Sequence, residues 1–80
     1  MRIILSNHAR IRAQMRNISF EEIVECILNP DKITLEEDSK VCYKKLTNEN
    51  KKLLITYTSD SEGVIKVITV IKTSKVNKYL

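Results

Sequence analysis

Eighty residues, 42% of them apolar, supply one hydrophobic core, so residues 1–80 are read as a single domain. Two cysteines are too few to staple a fold, and no apolar run approaches the ~20 residues of a membrane helix. These features exclude a disulfide scaffold and a membrane span, and they predict a soluble, cytoplasmic protein with free thiols.

The net charge of +4 is unevenly spread. Residues 1–20 hold all four arginines and no acid, residues 63–80 hold four lysines and no acid, and the ten carboxylates lie in the stretch between. Such segregation predicts a face for a polyanion if the fold joins the two ends; the plainer alternative is lysine solvating both termini.

In chain order, Arg2 to Ser6 reads as a short strand. Ser6 offers an N-cap for a helix over Asn7 to Arg16, with Ile11 and Met15 four apart as its apolar stripe. Asn17 is a candidate left-handed stop. Ser19 with Glu22 forms a capping box, and Ile18 with Ile23 a hydrophobic staple, so a second helix begins at Phe20. Phe20, Ile23, Val24, Ile27 and Leu28 follow the helical repeat, and Asn29-Pro30 ends it.

Beyond Asp31 the period shortens to two and β-branched residues take over. Strands are predicted at Lys32 to Glu36, Val41 to Leu46, Lys52 to Thr58 and Val64 to Thr73. Glu37 to Lys40, Thr47 to Lys51 and Ser59 to Gly63 form the turns. The last strand, longest and most apolar, is placed at the centre of the sheet, and the residues after it are expected to fray. The fold class is α+β: a short N-terminal strand, two helices, then a four-stranded antiparallel meander with the helices packed on one face.

His8, Arg12 and Arg16 stand at i, i+4 and i+8, one row along the first helix beside Ile11 and Met15. That row should emerge where helix meets sheet. Arg12 and Arg16 repel each other mildly, which suits a row that receives an anion. His8 is the one histidine and lies in the first turn, where the helix dipole and Arg12 disfavour a further positive charge. A neutral imidazole beside guanidiniums can take the proton of a ribose 2′-hydroxyl while the arginines stabilise charge on the phosphate. The alternative is that His8 caps the helix and the arginines snorkel over the sheet.

Thr69 and Thr73 are read on one face of the last strand and Lys66 and Lys72 on the other. With Arg10, the residues Thr69, Lys66 and Lys72 are candidate RNA contacts. Tyr43 and Tyr57 are candidates for base stacking, against the commoner reading of cross-strand packing. Tyr79 is a candidate second acid or base unless the terminus frays. Two cysteines and one histidine with no paired spacing make no zinc site, no carboxylate run makes a calcium loop, and no glycine-rich loop cradles a nucleotide. No cofactor or metal is expected.

Leu5-Ser6-x-His8-Ala9 with Arg12, Arg16 and Ile18-Ser19, then Asn29-Pro30-Asp31, then Val67-Ile68-Thr69-Val70, resembles the domain-of-unknown-function family numbered 4258. The resemblance covers nearly the whole chain. It implies a fold similar to RelE-type toxins and to barnase-like and colicin-like ribonucleases, with His8, Arg12 and Arg16 as the motif positions carried over and Thr69 a weaker fourth. Asn17 departs from the glycine usual in that family. The tail has no counterpart of the basic and tyrosine residues of RelE-type sites.

The functional expectation is a small metal-independent endoribonuclease of the kind that forms the toxin half of a toxin and antitoxin pair, with His8 as base and Arg12 and Arg16 on the phosphate. RNA and an antitoxin-like protein are its expected partners, and a further reading is an obligate homodimer whose basic row has no ligand. The rival from another class is a non-catalytic basic module that binds RNA or an acidic partner protein.

Overall fold

The computed structural model describes residues 2–46 and 52–80. The expected loop at Thr47 to Lys51 lies outside them. The chain runs β1 (Arg2–Leu5), α1 (Asn7–Met15), α2 (Phe20–Leu28), β2 (Lys32–Leu35), β3 (Lys40–Leu46), β4 (Lys52–Ser61), β5 (Val64–Thr73) and α3 (Val76–Tyr79). No helix among the described residues is long and apolar enough to cross a membrane.

Both predicted N-caps form. Ser6 Oγ accepts from the Ala9 N–H at 3.0 Å. Ser19 Oγ accepts from the Glu22 N–H at 3.1 Å while Glu22 Oε1 accepts from the Ser19 N–H at 2.9 Å, which completes the capping box. Ile18 and Ile23, the staple pair, are both buried in the same cluster. Asn17 adopts φ 55°, the left-handed region its short side chain tolerates, and separates the two helices.

The predicted sheet needs three corrections. β1 is not a separate strand: it pairs in parallel with β5, Arg2 opposite Val64 through Leu5 opposite Val67. The sheet is therefore five-stranded and mixed, in the order β1-β5-β4-β3-β2, and only its last four strands form an antiparallel meander. The centre is β4 rather than β5, because β1 occupies just one end of the outer edge of β5. β4 also runs three residues past its expected end at Thr58, and the hairpin closes on Glu62 and Gly63 alone, with φ 50° and 79°. Two successive positive φ values match the twist of the flanking strands, which is why the one glycine sits there.

The helices do not all cover one face. α1 and α2 lie on one side, over Ile3, Leu5, Cys42, Leu54, Ile65, Val67 and Val70. The residues expected to fray instead form α3, whose Val76 and Tyr79 pack on the opposite face against a cluster of Val41, Tyr43, Leu53 and Ile55. Alternation places Val41 and Tyr43 opposite Cys42, as their spacing predicts.

α1 turns a different face inward from the one its apolar residues indicate. Ala9 and Ala13 are buried, whereas Ile11 and Met15 are 54% and 72% exposed. Alanine lets the helix axis approach the sheet closely, and a branched or long side chain at the same contact would hold it off.

Candidate functional site

The junction of β1 and α1 is fastened to β5 by one residue. The Ser6 N–H donates to the Val67 carbonyl at 3.0 Å, and Ser6 Oγ donates to the Ile68 carbonyl at 2.9 Å while it caps α1. At the same point β5 carries a bulge: Thr58 is opposite Val67 and Tyr57 is opposite Thr69, so Ile68 has no partner on β4. β1 stops there, and β5 continues to Thr73 with no strand on its outer side among the described residues. α1 runs beside that open stretch.

Between them lies an open cleft of about 290 Å³, lined by His8, Arg12 and Arg16 from the helix and by Thr69, Val70 and Ile71 from the strand. The predicted row thus lines a cleft where helix meets sheet. On the wheel the row stands between Ile11 and Met15, which are exposed, and the buried Ala9-Ala13 stripe, and the alanine flank is the one that meets the sheet. The lining holds two guanidiniums, one imidazole and no carboxylate. β1 and α1 both pack on β5, so the fold brings the arginine-bearing and lysine-bearing ends of the sequence together.

The remaining candidates are dispersed. Arg10 turns back to hydrogen-bond Asn7 Oδ1 at 2.7 Å and does not line the cleft. Lys66 and Lys72 do not share a face, because the bulge at Ile68 shifts the alternation between them. Lys66 pairs with Ser59 on the α3 side, whereas Lys72 pairs with Leu54 on the α1 and α2 side, and its Nζ reaches the Asn17 carbonyl at 3.4 Å. Thr69 and Thr73, both beyond the bulge, do keep one face, but as cross-strand partners of Tyr57 and Leu53 they share the α3 side of the sheet, so Thr69 borders the cleft along the strand edge and not from the face that α1 covers.

Tyr43 and Tyr57 are on the sheet face away from α1, so they present no stacking surface to the cleft. Tyr43 packs against Tyr79, ring centroids 6.2 Å apart, and this contact removes Tyr79 from the cleft as a second acid or base. Burial first, then the Glu36 carboxylate, pushes the Tyr57 phenol up. The sequence reading missed the open edge of β5, which only the length difference between a four-residue and a ten-residue strand would have signalled.

The thiols are also remote from the site. Cys26 and Cys42 are both free and buried. Burial pushes the Cys26 thiol up to about 11, with the Thr56 hydroxyl opposing, and Sγ donates to the Cys42 carbonyl at 3.4 Å. A thiol held protonated in the fold ionises more readily once unfolded. Its contribution to stability is therefore complete below the ordinary value of 9.0 and is lost as pH rises through about 11. Denaturant midpoints should fall from pH 9 to pH 11 in the parent and fall less in Cys26→Ala; equal declines would assign the loss to other groups.

No curated protein and no solved structure matches the chain. A family model described as a domain of unknown function, DUF4258, matches residues 5–72, which include the Ser6 junction, both long helices and β5 through Lys72, where the cleft is built. With most of its length inside that match, the chain belongs to the DUF4258 family.

Proposed function

We propose that the cleft binds the phosphate backbone of RNA and cleaves it, as a small metal-independent endoribonuclease of the RelE-like toxin type. The reading rests on one observation: His8, Arg12 and Arg16 converge on a single open cleft with no carboxylate in its lining. Guanidiniums suit this task because their planar forks match phosphate oxygens two at a time and keep their charge at every relevant pH. His8 takes the proton of the ribose 2′-hydroxyl; the 2′-oxygen attacks phosphorus; the bond from phosphorus to the 5′-oxygen breaks, that oxygen takes a proton from water, and the hydroxide left behind takes back the proton held by His8. The products are a 2′,3′-cyclic phosphate and a free 5′-hydroxyl. Arg12 and Arg16 hold the phosphate as negative charge gathers on its equatorial oxygens.

A second reading is favoured by a specific feature. The cleft offers one imidazole and no partner acid for the leaving oxygen, since Tyr79 is packed on the opposite face. A module that holds RNA, or an acidic antitoxin-like protein, through the same two arginines needs no such acid.

The test is labelled single-stranded RNA, and DNA of the same sequence, incubated with the protein in EDTA. RNA should be cut to cyclic-phosphate ends and DNA retained uncut, because it lacks the nucleophile. Two arginine contacts predict that retention falls roughly sevenfold between about 50 and 200 mM salt. Retention without cleavage would favour the binding module, and neither result on RNA would end both RNA readings.

A further inference from the structure

The other edge of the sheet, remote from the cleft, is β2, and no described strand covers it. Its backbone polarity follows from the pair beyond its end. Glu36 and Ser39 exchange hydrogen bonds, the Glu36 N–H to the Ser39 carbonyl at 2.8 Å and the Ser39 N–H to the Glu36 carbonyl at 3.4 Å. In an antiparallel ladder, bonded and non-bonded pairs alternate. Thr34 opposite Val41 and Lys32 opposite Tyr43 are then bonded pairs, and Ile33 and Leu35 aim their N–H and C=O groups outward from the sheet. The same two residues carry exposed apolar side chains, Ile33 at 47% and Leu35 at 78%. Both lie on the sheet face that α1 and α2 cover, since Ile33 pairs with Cys42, but α2 packs over β3 and β4 and leaves them bare.

The strand sequence is complementary to itself in one register only. An antiparallel copy centred on Thr34 sets Ile33 opposite the second copy's Leu35, and Lys32 opposite its Glu36. Centred on Ile33, the same pairing would put Leu35 against Asp31; centred on Leu35, it would put Ile33 against Glu37. The register about Thr34 also meets the backbone requirement, because it makes the outward-facing Ile33 and Leu35 the bonded residues and Thr34 the non-bonded pair. Two apolar contacts, two Lys32–Glu36 pairs and the open backbone groups close together, while Asp31 and Glu37, which the same register sets opposite each other, fall outside them at both ends.

We propose that this edge is the interface of a homodimer, in which two copies join antiparallel through β2 into one continuous ten-stranded sheet. A second copy is the occupant that the strand fits, because its Ile33–Leu35 and Lys32–Glu36 pairs match under its own twofold axis and no other sequence is needed to complete them. Both sets of α1 and α2 helices then lie on the same side of the sheet. The basic clefts fall seven strand spacings apart, roughly 34 Å before twist. The proposal stands independently of what the cleft binds.

Sedimentation velocity from about 1 to about 500 μM should show a monomer converting to a dimer. Ile33→Lys with Leu35→Lys, at exposed positions that leave the core alone, should keep the protein monomeric throughout with its circular dichroism unchanged. Glu36→Lys should raise the dissociation constant about tenfold by opposing Lys32, and combining it with Lys32→Glu should restore dimerisation. A parent that stays monomeric across the range would overturn the proposal. So would a dimer that survives the paired lysines, or a charge swap that fails to restore what Glu36→Lys removes.

Discussion

His8→Ala is expected to slow RNA cleavage by about 10²- to 10⁴-fold, the range that a positioned general base contributes. RNA retention should change far less. The imidazole is exposed in the first turn of α1, and the residues that fix that turn are Ser6, through its cap and its bonds to β5, and the buried Ala9. Removing the ring therefore leaves the helix and both guanidiniums in place. Single-turnover cleavage and filter retention measured on the same preparation, with a melting curve alongside, separate the proton-transfer role from binding and from unfolding. Cleavage at the parent rate would remove the assigned base. Loss of retention together with cleavage would make His8 a binding residue.

The second large effect concerns the core. Leu54 is fully buried on the central strand, in the cluster that α2 seals, so Leu54→Ala should cost about 2–5 kcal/mol. At the middle of that range, a domain of this size should melt about 14–28 °C lower. Ile11→Ala is the matched control. Periodicity assigns Ile11 to the buried stripe of α1, but it is more than half exposed, and its truncation should stay within about 0.5 kcal/mol. Equal losses at the two positions would mean that α1 turns Ile11 toward the sheet.

The contrast between those two residues shows what the sequence discloses. α2 was legible in detail because its signals are local: a reciprocal cap, a staple, an unbroken apolar stripe and a proline stop. α1 was legible as a helix but not in its orientation, since alanine carries little hydrophobic signal and its value at Ala9 and Ala13 lies in small size. α3 has no side-chain cap to announce it; packing of Val76 and Tyr79 on the far cluster sustains it. The cationic row required only helical spacing, so it could be found. Lys66 and Lys72 were grouped wrongly because a bulge at Ile68, with no glycine or proline to mark it, shifts the alternation that relates them. Open edges of a sheet are properties of pairing between distant segments, and no local pattern encodes them.

The pairing of β1 with β5 has a consequence for when the domain can fold. Ser6 bonds to a residue 62 positions later, and the β1 end of the chain has no sheet partner until β5 exists. At ordinary synthesis rates of about 5–20 residues per second, that interval is roughly 3–12 s, during which the inward sides of α1 and α2 have no finished surface to cover. The meander of β2, β3 and β4 can assemble from near neighbours, but the first strand waits for the fifth. Folding is thus gated by completion of β5, and a ribosome paused before that strand would hold out an incomplete core.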